Sequence, residues 1–168
     1  FESTPTALSI GESISYNKLI EQDNIKDPHI WLDISLWIEA LNLVKKKLEE
    51  TFHIDLNEKY DLIVKQMQTA HEKNIKVMQT IEDKVYFVTC HTAFNYFAKA
   101  YLPRKKDTYM AIEGLSPSSA LDVKQLKKVM EYIRKHNIKY LFREANVESD
   151  ILLRLQDELN SDGYRIEV

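Results

Sequence analysis

Glycine is scarce, with three residues (Gly11, Gly114 and Gly163) in a chain of 168, where average usage of about 7% would give roughly twelve. No two of them lie close enough to build a phosphate-cradling loop, which excludes Walker-type nucleotide binding and a GxGxxG dinucleotide fold. Cysteine is scarcer still. A lone Cys90 cannot close an internal disulfide or make a cysteine-rich metal knot. There is no basic excess either: 23 Lys and Arg against 26 Asp and Glu give a formal net charge of −3, which argues against nucleic acid as a partner. No run approaches the about 18–20 apolar residues of a membrane span. The chain opens on Phe1 with no methionine, basic n-region or apolar h-region, and this reads as an internal cut in a processed or fragmentary protein. What is there is a globular balance, 44% hydrophobic and 29% charged, over enough chain for one domain or two small lobes.

Residues 1–30 are turn-rich and aperiodic, broken at Thr4-Pro5, at Ser9 to Ser13 and at Asp27-Pro28. From Asp33 the period becomes helical. Ile34, Trp37, Leu41, Val44 and Leu48 fall on one face, and Asp33 is a good N-cap. Lys45, Lys46 and Lys47 read as a solvated helix end that suits the dipole. A second helix of about 26 residues, roughly 39 Å long, follows Asp55 with no glycine or proline to interrupt it. Leu56, Tyr60, Ile63, Met67, Ala70, Val77, Met78 and Ile81 trace its seam, and His71 reads as a surface residue. A helix that long in so short a chain bridges lobes or forms a coiled-coil arm.

From Lys84 strands alternate with helices. Segments 85–89, 108–112, 138–142 and 164–168 read as strands, with helices over 93–101, 122–136 and 151–159. The fold class is α/β, with a parallel sheet joined by right-handed crossovers. In such a sheet ligands sit beyond the carboxyl ends of the strands. His91 follows the strand at 85–89, so its imidazole can face that crevice, and His29 sits in a loop just after Pro28. His53 and His71 have no such placement, and His136 ends a helix. Spacing alone leaves His91 open between a satisfied structural histidine and a ligand. No HExxH, CxxC, calcium loop or nucleophile-elbow serine is present. Cys90 points to the opposite face of its strand from His91 and reads as a small buried filler.

The words around those histidines carry more. DPHIWLD at 27–33, VTCHTAFNYFAKAY at 88–101, EGLSPSSALDVKQLKKVMEYI at 113–133 and LFRE ending at Glu144 stand in order, with one long helix between the first two. Together they resemble the metal-binding solute-binding proteins of ABC importers, the group that carries zinc, manganese or iron(II), from about Asp27 to the end of the chain. The wording EGLSP resembles the chlamydial branch of that family.

The resemblance implies a bilobed solute-binding-protein fold of the α/β class. Residues 1–54 would be the remnant of an N-terminal lobe that is mostly missing, holding the DPHIW loop and the helix after it. Residues 55–83 would be the long rigid connecting helix. Residues 84–168 would be a C-terminal lobe with a parallel sheet flanked by helices, truncated before its last ligand loop. The resemblance implies metal ligands at His29 and His91. Asp27 and Glu144 lie close in sequence to the DPH loop and to a strand end, where either could orient an imidazole through its other nitrogen; Asp27 reads equally as a turn former before proline and Glu144 as a surface ion-pair partner. Histidine rather than glutamate at 91 leans toward zinc, with manganese or iron(II) as alternatives. A histidine before residue 1 and an aspartate beyond Val168 would complete the set, and the short LPRKKD tract at 102–107 reads as a further gap. Weakened metal affinity is therefore expected of this polypeptide alone. Trp31 and Trp37 read as lobe-packing aromatics.

The function implied is extracytoplasmic capture of a divalent transition metal and delivery to an ABC permease in the cytoplasmic membrane. The protein would be a monomer, not an enzyme, and periplasmic or membrane-anchored as a lipoprotein. Two other readings stand beside it. One is a two-lobed metal-dependent hydrolase, against which counts the lack of a well-placed general base near His29 or His91. The other is an adhesin-like interaction module in which the metal is incidental.

Overall fold

The first thirty residues lack a period, and their structure is piecemeal. In the computed structural model, which describes residues 7–22, 24–104, 108–115, 123–143 and 150–168, they form a helical turn α1 (Ile10–Ser13) and a 3-10 turn (Tyr16–Lys18). A two-residue antiparallel ladder of β1 (Glu21–Gln22) and β2 (Ile25–Lys26) follows. Asn24 takes a left-handed φ of 62° between them, a conformation asparagine tolerates better than most residues. A 3-10 turn at Ile30–Leu32 then leads into α2 (Ile34–Phe52). Asp33 caps α2 as the sequence predicts, its Oδ1 accepting from the Ser35 backbone N–H at 2.9 Å and the Ser35 hydroxyl at 2.6 Å.

The face that α2 buries differs from the predicted one. Leu36 and Ala40 are buried with Ile14, Ile30 and Tyr96 in a small core, whereas Trp37 and Leu48 of the predicted stripe are exposed. The helix is apolar on more than one side, and the loop segments together with Tyr96 cover the side with the smaller residues. Lys45 departs from the solvated reading as well: it pairs with Glu49 at 2.8 Å and lies over the Tyr60 ring.

Helix α3 (Asn57–Ile81) runs for 25 residues, about 37 Å at the usual rise. None of its residues is buried. Tyr60, Val64, Met67, His71, Asn74 and Met78 form a half-covered stripe, stepping by three and four. The predicted seam mixes this stripe with a second one, since Ile63, Val77 and Ile81 are exposed. His71 therefore corrects the surface reading. It lies on the covered stripe, and its Nδ1 is 2.9 Å from the Tyr101 hydroxyl at the end of the helix that α3 packs against.

The rest is α/β. Strand β3 (Phe87–Thr89) pairs in parallel with β4 (Tyr109–Ala111), Val88 opposite Met110, and helix α4 (Asn95–Tyr101) lies between them in the chain. Helices α5 (Val123–Lys135) and α6 (Asp150–Ser161) follow. Val129 and Ile133 of α5 close with Leu152, Leu155 and Leu159 of α6 over Val88 and Cys90 in the main core. The strands predicted at 138–142 and 164–168 shrink to one parallel bridge, Tyr140 opposite Glu167. Backbone bonds from Leu141 N–H to Glu167 O at 2.7 Å and from Phe142 N–H to Val88 O at 3.5 Å still align these segments beside β3. Too few consecutive pairs form to make a regular ladder, because Tyr140 and Phe142 are exposed and only Ile138 and Leu141 are pulled into the core. Gly163, at φ 80°, reverses the chain after α6 so that Tyr164 N–H reaches Leu159 O at 2.8 Å. Among the described residues no helix is long and apolar enough to cross a membrane.

Candidate metal centre

The loop after β2 is pinned at Asp27. Its N–H donates to Ile20 O at 2.9 Å, and its C=O accepts from the Tyr96 hydroxyl at 3.0 Å. The same hydroxyl accepts from Ile20 N–H at 3.0 Å. Asp27 is 1% exposed, and a carboxylate that deep needs donors on both oxygens. Both have them. Oδ1 accepts the His29 backbone N–H at 2.9 Å and lies 2.6 Å from His29 Nδ1, while Oδ2 accepts from Asn95 Nδ2 at 2.9 Å. The backbone bond is the turn-forming role that an Asp before Pro predicts. The ring contact does something further. A carboxylate only accepts, so Nδ1 carries the hydrogen, and with a single hydrogen on the ring the lone pair of His29 lies on Nε2.

His91 stands two residues past β3, where the carboxyl ends of the parallel strands open. The strand pairing continues into the loops: Glu113 N–H donates to Cys90 O and Thr92 N–H donates to Gly114 O, both at 2.8 Å. The His91 carbonyl accepts from the Thr89 hydroxyl and from Ala93 N–H, each at 2.9 Å. These bonds turn the chain so that Cys90 enters the core, as expected of a small filler, while His91 points toward the DPH loop.

The two rings meet. Their Nε2 atoms are 3.3 Å apart although 62 positions separate the residues, and each histidine is 7% exposed. Two imidazoles bound to one zinc at about 2.0–2.1 Å and the tetrahedral angle hold their nitrogens about 3.3–3.4 Å apart and their ring centres about 5.2 Å apart. The ring centres here are 5.2 Å apart, with planes inclined at 53°. A straight N–H···N bond of the same length would set the centres about 5.6 Å apart. The rings therefore do not lie end to end, and their spacing is the one that a divalent transition metal between two imidazoles would set.

Trp31 closes the other side of His29, edge to face, with ring centres 5.3 Å apart. The expectation that Trp31 and Trp37 pack lobes does not hold among the described residues, where they are 48% and 41% exposed. Trp31 sits in the 3-10 turn that follows His29, so its ring lies against the imidazole and not inward.

Two residues with no sequence-based assignment complete the surroundings. Asn95 accepts from the Tyr109 hydroxyl at 2.5 Å on Oδ1, and its Nδ2 lies 3.3 Å from Gln22 Oε1. Burial pushes the Tyr109 phenol well above its ordinary range, with the negative charge of Asp27 adding to the effect, so it donates throughout the neutral range. The available signal was the position of Asn95, an amide in the first turn of a helix opening four residues after His91.

Glu144 lies outside the described residues, as do 116–122 of the third motif and 105–107 of the LPRKKD tract. The other histidines are elsewhere: His53 ends α2 at φ 52°, and His136 stacks on Tyr86 with ring centres 3.9 Å apart. Among the described residues no group of three or more His, Cys, Asp or Glu side chains is placed to hold a metal ion. What the fold brings together is His29, backed by Asp27, and His91.

Comparison with known proteins agrees with the motifs. The family model described as zinc-uptake complex component A, periplasmic (ZnuA), matches residues 3–167. The metal-binding protein YtgA of Chlamydia pneumoniae is 28% identical over 173 residues, covering 94% of this chain and 53% of YtgA. The crystal structure of Fe(III)-bound YtgA from Chlamydia trachomatis superposes with a TM-score of 0.84 at 26% identity, over 99% of this chain and 62% of that one. The periplasmic zinc-binding protein TroA from Treponema pallidum superposes with a TM-score of 0.86 over 96% of this chain and 58% of its own, a likeness of fold at 19% identity. These neighbours bear out the expected α/β solute-binding-protein fold. The chain spans about half the length of the curated relatives it matches.

Proposed function

We propose, for a chain that belongs to the ZnuA family of periplasmic zinc-uptake components, that His29 and His91 are two of the ligands with which the protein captures a divalent transition metal outside the cytoplasmic membrane and hands it to an ABC permease. The observation that carries this reading is the convergence of the two Nε2 atoms at 3.3 Å, with Asp27 on the far nitrogen of His29.

Capture of this kind makes and breaks no covalent bond. Two buried imidazoles offer nitrogen lone pairs to a borderline cation, and the carboxylate behind one of them strengthens it as a donor. Zinc is the favoured cargo, because the position that would discriminate holds histidine, with manganese or iron(II) as alternatives. The further ligands of a closed four-coordinate site come from outside the described residues. Helix α3 then acts as the rigid connector between the first-lobe segment at 1–54 and the lobe at 84–168, a division supported by its length and its lack of buried residues. A hydrolase reading is disfavoured by the same geometry. Among the described residues the carboxylate nearest the pair is Asp27, which is engaged by His29 and Asn95 on its two oxygens and is buried away from solvent, a poor placement for activating a water.

The test is zinc binding by the intact protein in competition with a chromogenic chelator, alongside His29→Ala and His91→Ala. Each substitution is expected to lower affinity by at least roughly a hundredfold, beyond the range of outer-contact changes. Wild-type affinity in either variant rejects that residue as a ligand.

A further inference from the structure

Asn95 opens α4, yet its side chain does not cap that helix; Phe94 occupies the N-cap position and makes no side-chain cap. An asparagine at a helix start ordinarily spends its side chain on local backbone groups. Here it reaches across 68 positions to Asp27 Oδ2 at 2.9 Å, while its Oδ1 accepts from the Tyr109 hydroxyl of β4 at 2.5 Å. The two contacts leave one orientation of the amide. Its NH2 must face the carboxylate, and its oxygen must face the phenol.

We infer that Asn95 is a positioning residue for the metal site: it holds the Asp27 carboxylate in the rotation that keeps the hydrogen of His29 on Nδ1 and the lone pair of Nε2 aimed at His91. The inference rests on the reading of His29 as a ligand. Asp27 contacts His29 through Oδ1 and Asn95 through Oδ2, so the direction of the carboxylate plane is set from both ends. Removing the Asn95 amide leaves Oδ2 buried without that donor, and a carboxylate in that condition swings toward another. Held then by the His29 N–H alone, the carboxylate turns about that bond and Oδ1 loses its line to Nδ1; the selection between the two imidazole tautomers weakens, and a hydrogen on Nε2 blocks the pair. Tyr109 acts one step further back. Because β4 lies next to β3 in the sheet, the relay from Tyr109 to Asn95, Asp27 and His29 ties the first ligand loop to the strands that present His91.

The test uses the intact protein labelled with 15N. In the metal-free wild type, the ring-nitrogen shifts of His29 are expected to show hydrogen on Nδ1 alone. Asn95→Ala is expected to give a mixture of tautomers and a loss of zinc affinity of about tenfold or more. Tyr109→Phe, which keeps the amide and removes only its donor, is expected to shift both readouts the same way by less, and it decides the matter if Asn95→Ala does not fold. An unchanged tautomer in the folded variant overturns the inference, and so does a tautomer change with wild-type zinc affinity. His29→Ala measured in parallel separates the two ideas. If that variant binds zinc as the wild type does, the ligand reading fails, while the metal-free spectra still judge whether Asn95 sets the ring.

Discussion

Oδ1 of Asp27 lies 2.6 Å from Nδ1 of His29, both groups buried, and this contact decides which nitrogen of the imidazole faces His91. A residue that at sequence level explains itself as a turn former before proline thus has two simultaneous tasks, shaping the DPH loop and setting the ring.

Asp27→Ala should therefore separate into two effects. Loss of the ring contact should weaken zinc binding by about 10–100-fold in a chelator competition. Loss of the acceptor for the His29 N–H and the Asn95 amide should destabilise the fold by about 1–3 kcal/mol in urea unfolding. Wild-type zinc affinity in this variant would contradict the role given to the carboxylate.

Asp33→Ala is the contrasting case. Asp33 caps α2 through Ser35 and does not touch either imidazole. A stability loss of about 1 kcal/mol is expected, with zinc affinity unchanged. A loss of affinity at unchanged stability would show that the metal site reaches further along the loop than the geometry indicates.

The two halves of the site were legible to different degrees. The motifs located His29 and His91, and the strand-then-helix pattern put His91 at the carboxyl end of a parallel strand, where β3 now places it. The N-cap at Asp33 and the extent of α3 follow directly from local chemistry, since a capping carboxylate and an uninterrupted run of helix formers act within a few residues. The buried faces did not follow. Both α2 and α3 carry apolar residues on more than one side, and only tertiary packing chooses between Trp37 and Ala40, or between Ile63 and Val64. The surface reading of His71 fails for that reason, since the half-covered side of α3 is the one that carries it. The contacts of Asn95 were also invisible, because its partners Asp27 and Tyr109 come from distant segments and no spacing rule links an amide to them. The strands at 138–142 and 164–168 had the right composition, but composition does not count the neighbours a strand finds to pair with.

Cys90 tests the packing of β3. Its thiol is buried beside His91. An aromatic disulfide reagent should react with it slowly in the native protein and release one equivalent of thiolate on unfolding. Rapid reaction under native conditions would mean that the chain around His91 opens far more readily than its hydrogen bonds imply.

Tyr109 makes a pH prediction whose sign is fixed. Its phenol is raised in the folded protein, first by burial and then by Asp27, whereas an unfolded tyrosine ionises at about 10. Below that pH the contribution to stability is fully present. Above it the unfolded state sheds a proton that the native state retains, so stability falls as pH rises through and beyond about 10. Unfolding measured as a function of pH should show this alkaline decline, and Tyr109→Phe should make it shallower. An identical slope in the variant would contradict the buried, protonated state of this phenol.

The most direct test of the account is zinc-edge anomalous diffraction from crystals of the intact protein. The prediction is one zinc peak at about 2.0–2.1 Å from Nε2 of His29 and the same distance from Nε2 of His91, with Nδ1 of His29 still on Asp27. A bound zinc that touches neither ring, with the two imidazoles left bonded to each other, would contradict it.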